Sequence, residues 1–130
     1  MKVLLIDDEP KARRLLETLV QENCPNINTV FTAEDLLSGV EIIKKEQPNI
    51  VFLDIEMPQH SGLEIFDFLE KEHCNFEIIF TTAYSEYAIK AFELSAIDYL
   101  LKPIRDEKIV EAVDKAIANI GKSEISVKLE

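Results

Sequence analysis

Residues 49–62 read NIVFLDIEMPQHSG. The run Ile50–Leu53 is too short for a helix, and it is continuous rather than alternating, as in a strand buried on both faces. It ends on a carboxylate, Asp54, and Met57-Pro58 then stops the strand from continuing. A carboxylate placed directly after a buried strand needs a partner.

Similar runs lie on either side, at Val3–Ile6, Ile78–Phe80 and Tyr99–Leu101. A weaker run, Ile27–Phe31, is interrupted by Asn28 and Thr29, as suits a sheet edge. Stretches of helical periodicity separate them: Ala12, Leu15, Leu16, Leu19; Leu36, Val40, Ile43; Leu63, Phe66, Leu69; the short Ala88, Ile89, Phe92; and Ile109, Val113, Ala116, Ile117, Ile120. Pro48 is expected to close the second helix and Gly121 the fifth. Alternation of strand and helix five times over predicts right-handed crossovers and an α/β fold, a parallel sheet with helices on both faces.

At 130 residues the chain fits one domain with one principal site. With 47% hydrophobic and 30% charged residues it has a globular composition. No apolar run approaches the roughly 18 to 20 residues of a membrane span, and Val3–Ile6 follows Met1 too closely for a secretory signal, so a cytoplasmic location without membrane association is expected. The formal charge of −11 argues against direct binding to nucleic acid, whose phosphates demand Lys and Arg. Cys24 and Cys74 lie far apart in no metal-binding spacing and read as reduced thiols; His60 and His73 read as surface or loop residues.

In a parallel α/β sheet, sites form beyond the carboxyl ends of the strands. There stand Asp7, Asp8 and Glu9 after the first strand, Asp54 and Glu56 after the third, Thr81 and Thr82 after the fourth, and Lys102-Pro103 after the fifth. Each has a bland explanation alone: Asp7 and Asp8 before Pro10 suit a helix start, Thr82 a turn hydroxyl, Lys102 a solvated charge. Their coincidence on one rim is what points to a site.

IDDEP at 6–10, FLDIEMPQHSG at 52–62, TTAY at 81–84 and YLLKP at 99–103 resemble, in order and spacing, the receiver domains of two-component response regulators. The resemblance covers about residues 2–120, and the stretch from Phe80 to Pro103 is similar to regulators with a LytTR-type DNA-binding output domain. It implies a flavodoxin-like (βα)5 doubly wound sheet in the order 2-1-3-4-5, with residues 1–121 as the receiver and 122–130 as the start of a linker to an output domain. In that order Asp7, Asp8 and Thr82 fall beside Asp54, and strand five lies about 10 Å away, a distance Lys102 mostly spans.

Three gathered carboxylates repel one another until protonation or a cation relieves them, and hard oxygen ligands with an incoming phosphoryl group favour Mg²⁺. The resemblance implies Asp8 and Asp54 as direct ligands, Asp7 as a mainly water-mediated one, and the Glu56 backbone carbonyl as another. It further implies that Asp54 takes a phosphoryl group from a phosphohistidine of a sensor histidine kinase, with Lys102 balancing the charge. Thr82 then moves inward and Tyr99 follows, altering a face built from the fourth helix, fifth strand and fifth helix, where a phosphorylation-dependent homodimer or partner contact is expected. A cis Lys102–Pro103 bond is likewise implied. The resemblance also implies that Glu56 and Tyr84, two residues after Asp54 and Thr82, lie near the path of attacking water.

Three rivals compete. A haloacid-dehalogenase-type phosphohydrolase also forms an aspartyl-phosphate, but its nucleophile belongs to a DxD after the first strand and it carries a cap, whereas this strand ends in DDEP. A nucleotide- or flavin-binding module lacks a Gly-rich loop, since only Gly39, Gly62 and Gly121 exist. A receiver-like module without phosphorylation is opposed by the complete set Asp7, Asp8, Asp54, Thr82 and Lys102.

Overall fold

The computed structural model describes the backbone of residues 1–129 and the side chains of residues 1–122. Five parallel strands, β1 (Lys2–Ile6), β2 (Thr29–Ala33), β3 (Ile50–Asp54), β4 (Glu77–Thr82) and β5 (Asp98–Leu101), form one sheet in the order β2-β1-β3-β4-β5. Strand polarity alternates between two cores because successive side chains point to opposite faces. Val3, Leu5, Phe52, Ile79 and Leu100 face one way, onto helices α1 (Pro10–Asn23) and α4 (Asp106–Leu129). Leu4, Ile6, Val51, Leu53, Ile78 and Phe80 face the other, onto α2 (Leu36–Glu46) and α3 (Ala88–Glu93). Phe52 and Phe80 are fully buried, each contributing about 2 to 3 kcal/mol of apolar burial.

Helix limits follow local chemistry. Pro10 opens α1, and Asp35 caps α2 by accepting from the Ser38 amide at 2.8 Å. Gln47 in the left-handed conformation, with φ of 50°, ends α2 just before Pro48.

Several expectations are corrected. The stretch around Leu63, Phe66 and Leu69 is not an α-helix but two 3₁₀ segments, Gly62–Asp67 and Lys71–His73. β-Branched and aromatic Ile65, Phe66 and Phe68 favour helix poorly, and Ser61 with Glu64 closes a capping box on a short turn. Gly121 does not end the last helix, which runs on to Leu129. Its φ is not positive and nothing lies within 4 Å of where its Cβ would be, so it is an interior glycine, costing about 1 kcal/mol of helix propensity. The segment 122–129 is thus helical, and Glu130 lies outside the described residues. The second strand starts at Thr29 rather than Ile27. Leu15 is 56% exposed, and Leu16 and Val20 form the buried side of α1. On α3 only Ala91 is buried, and Ile89 remains 79% exposed.

Candidate functional site

Parallel register brings the carboxyl ends of the strands to one rim: Ile6 is level with Leu53, Asp54 with Thr81, and Thr82 with Leu101. The residues immediately beyond therefore converge without long side chains. Asp7, Asp8 and Asp54 each offer a carboxylate oxygen, all within 4.8 Å of one another. Asp7 and Asp54 are almost wholly buried, whereas Asp8 is partly exposed.

Two bonds from β1 and α1 hold the first acidic turn. The Glu9 amide donates to Asp7 Oδ1 at 2.9 Å, and the Arg13 guanidinium donates to the Asp7 carbonyl at 2.7 Å. One Asp7 oxygen is thus taken by the turn that precedes α1, a helix without a side-chain cap. The other accepts from the Lys102 ammonium at 2.8 Å. Lys102 also donates to Asp54 Oδ2 at 3.2 Å, placed by the Lys102 amide, which bonds to the Thr82 carbonyl at 2.7 Å, and followed by a cis Lys102–Pro103 peptide.

Behind Asp54 the loop approaches very closely. The Gly62 amide donates to the Ile55 carbonyl at 2.9 Å, and a Cβ on Gly62 would stand only 2.1 Å from the Asp54 carbonyl oxygen. Glycine is therefore required there by space.

Electrostatics follow burial and neighbours. Desolvation pushes the Asp54 carboxyl up to about 6; the Lys102 ammonium opposes this, and the Asp7 and Asp8 charges reinforce it. Burial disfavours the Lys102 ammonium, but hydrogen bonds and attraction from Asp7 and Asp54 outweigh it and hold its pKa above the ordinary value.

Thr82 is fully buried and its hydroxyl accepts the Tyr84 amide at 3.3 Å. Tyr99 on β5 is half-buried and donates its phenol to the Tyr84 carbonyl. Burial raises the Tyr99 phenol and the Tyr87 backbone amide opposes the rise. Glu56 is exposed, and its carboxylate accepts the phenol of Tyr87 at 2.5 Å. That bond is the main reason the Tyr87 hydroxyl is pushed up to about 12. Sequence reasoning assigned no role to Arg13, Gly62 or Tyr87. Their partners are a backbone carbonyl, a close approach and a loop 31 residues distant, none of which leaves a local pattern.

The model of the response regulator receiver domain family matches residues 3–114. The chain is a response regulator receiver domain. Among relatives of this receiver, the transcriptional regulatory protein BtsR of Escherichia coli strain K12 is 41% identical over 127 residues, covering 98% of this chain and 52% of that protein. The sensory transduction protein LytT of Enterococcus faecalis is 37% identical, covering 95% of this chain and 50% of that one. The crystal structure of the response regulatory domain of protein mrkE from Klebsiella pneumoniae superposes with a TM-score of 0.81 at 28% identity, covering 94% of this chain and 99% of that one. The chain spans about half the length of the curated relatives it matches.

The donor set of the rim fits a hard divalent cation. Three carboxylates converge, no sulfur or imidazole competes among the described residues, and Lys102 alone cannot offset three negative charges.

Proposed function

We propose that this receiver is a Mg²⁺-dependent phosphoacceptor switch in which Asp54 takes the phosphoryl group from a phosphohistidine of a sensor histidine kinase. The observation that carries the reading is the Asp54 carboxylate itself: buried, grouped with Asp7 and Asp8 within 4.8 Å, and 3.2 Å from the Lys102 ammonium. Asp7, Asp8, Asp54 and the Glu56 backbone carbonyl would hold Mg²⁺, which when bound supplies neutralisation of charge on the phosphoryl oxygens. An Asp54 oxygen attacks phosphorus, the phosphorus–nitrogen bond to the donor imidazole breaks, and its electron pair stays on nitrogen. Lys102 keeps its proton and offsets the charge gained. The domain is not an enzyme acting on other substrates; it assists its own phosphorylation and dephosphorylation.

The relay runs through Thr82 and Tyr99. A phosphoryl group on Asp54 offers oxygens to the Thr82 hydroxyl, which then releases the Tyr84 amide, the group beside the carbonyl that holds Tyr99. The responding face is α3, β5 and α4, where Ile89, Phe92 and Leu101 present apolar surface to solvent. Phosphorylation promotes a homodimer through that face. We take residues 1–121 as the receiver and 122–130 as the start of the connection to a DNA-binding output domain of LytTR type, in a cytoplasmic regulator. The two-fold greater length of relatives named transcriptional regulatory and sensory transduction proteins supports this. The receiver itself, at −11, leaves nucleic-acid contact to that domain. Among the described residues no helix is long and apolar enough to cross a membrane.

Incubation with phosphoramidate and Mg²⁺, followed by intact-mass measurement, tests the acceptor. One phosphoryl group should be gained, and none in Asp54→Asn or after chelation of the metal; equal labelling of Asp54→Asn would refute the assignment.

A further inference from the structure

We propose that Arg13 is a positioning residue for the cation site: by gripping the Asp7 carbonyl, its guanidinium sets the plane of the Asp7–Asp8 peptide and so aims the Asp8 carboxylate at the rim. The inference rests on the Mg²⁺ reading of the acidic rim and extends it to a side chain of α1 that pairs with none of the carboxylates.

Asp7 is held at every polar atom. Its amide donates to the Ala33 carbonyl at 3.1 Å, and its carbonyl accepts from Arg13 at 2.7 Å. Its two carboxylate oxygens accept from the Glu9 amide at 2.9 Å and the Lys102 ammonium at 2.8 Å. Asp8 is the opposite case. Among the described residues its carboxylate has neither a hydrogen bond nor an ion pair, yet one of its oxygens lies within 4.8 Å of oxygens of Asp7 and Asp54. What directs it is therefore the chain itself. The peptide unit is planar, so a bond that fixes the Asp7 carbonyl also fixes the Asp8 amide and Cα, the point from which the Asp8 side chain leaves. The Glu9 amide restrains the turn from beyond Asp8, whereas Arg13 acts on the Asp7–Asp8 peptide directly.

Helix geometry explains why position 13 has this reach. Side chains lean towards the N-terminus of their helix, so a long residue one turn into α1 extends back over the loop that enters it. The Arg13 amide is itself fixed to the Glu9 carbonyl at 2.9 Å, and the half-buried side chain adds a second link to the end of β1. Helix electrostatics do not favour a cation there, because the N-terminal end of a helix carries partial positive charge. Nor does Arg13 form an ion pair among the described residues. Its bond orients the acidic turn without occupying a carboxylate oxygen.

Charge and position act in opposite directions at this point. Through space the guanidinium repels a divalent cation, so its removal would tighten Mg²⁺ binding. Through the peptide, its removal lets the Asp8 carboxylate turn away and weakens binding. Loss of a group that orients a metal ligand lowers affinity by about 10- to 100-fold, and the lower end applies to a partly exposed ligand such as Asp8.

The test is a Mg²⁺ titration followed by amide chemical shifts in the parent receiver, Arg13→Met, Asp8→Asn and the double variant. Arg13→Met keeps the apolar stem and should raise the Kd for Mg²⁺ by about tenfold. In the Asp8→Asn background the same change should cause no further weakening. That comparison separates positioning through Asp8 from a general loosening of the turn. A merely structural tie would instead lower the melting temperature of the metal-free domain and leave the Kd unmoved. An unchanged or smaller Kd in Arg13→Met overturns the assignment, as does equal weakening in the Asp8→Asn background. Should Arg13→Met fold poorly, Arg13→Gln is judged by the same comparison. A parent whose amides do not respond to Mg²⁺ refutes the cation reading of the rim itself, whereas a responding parent with unaltered Arg13 variants removes only Arg13 from the site.

Discussion

The Lys102 ammonium stands 3.2 Å from the Asp54 carboxylate although 48 residues separate them, and the same nitrogen lies 2.8 Å from Asp7. One half-buried cation therefore serves two buried carboxylates from different strands. Replacing Lys102 with Ala leaves both buried carboxylates without a cation, with the Glu9 amide as the remaining partner of Asp7. Lys102→Ala is expected to lower the stability of the metal-free domain by about 1 to 3 kcal/mol, read by urea denaturation, with much of the loss restored by excess Mg²⁺. Phosphorylation-dependent behaviour should be weakened even when Mg²⁺ restores the fold.

The pH dependence of the metal-free domain follows from Asp54. Its carboxyl is pushed from 3.8 to about 6, so between these values the folded chain holds a proton that the unfolded chain has released. A raised folded pKa means that this contribution to stability is fully present below pH 3.8 and is lost as pH rises through about 6. The loss amounts to as much as about 3 kcal/mol. Thermal or urea unfolding in the presence of a chelator should show this decline, and Asp54→Asn should abolish it and stabilise the metal-free domain near neutral pH. Binding of Mg²⁺ should tighten over the same interval, because the ion displaces that proton.

Gly62→Ala is predicted to damage the site from behind. The added Cβ would stand 2.1 Å from the Asp54 carbonyl oxygen and 3.0 Å from Leu53 Cγ, so the turn after β3 must shift. A loss of at least about 2 kcal/mol is expected, with phosphorylation of Asp54 reduced more than stability alone explains. Retention of parental labelling and melting temperature would show that the loop yields freely.

The exposed apolar side of α3 leads to a prediction about assembly. Ile89, at 79% exposure, and Phe92, at 53%, cover no core. Sedimentation with beryllofluoride and Mg²⁺ should report a rise in mass over the metal-free domain, and Ile89→Lys should suppress it. Equal masses with and without beryllofluoride would count against this face as the dimer contact.

How much of this was legible in the chain depends on the range of the interactions concerned. Continuous apolar runs marked the strands because a parallel sheet covered on both faces leaves no polar side, and Asp54 stood out because a charge directly after Ile50–Leu53 conflicts with that burial. The rim residues Asp7, Asp8, Asp54, Thr82 and Lys102 were readable for the same reason: strand ends carry polar groups only where something uses them. The sheet order was not derivable from the runs alone and came with the family resemblance.

Tertiary structure decided the rest, because those features depend on partners that lie far away in the sequence. Periodicity at Leu63, Phe66 and Leu69 suggested a helix, yet the short capped turns there resolve into 3₁₀ segments. Gly121 resembled a stop signal, but a glycine ends a helix only when the backbone turns left-handed, and here it does not. Leu15 and Ile89 fit apolar stripes without being buried, since a stripe records which residues share a side of a helix and not whether anything covers it. The choice of Asp7 and Asp54 as joint partners of Lys102, the space that demands glycine at 62, and the meeting of Tyr87 with Glu56 arise only when β1, β3, β4 and β5 lie side by side. Residue type and spacing determine what each side chain is able to do, and the packed sheet determines which of them meet.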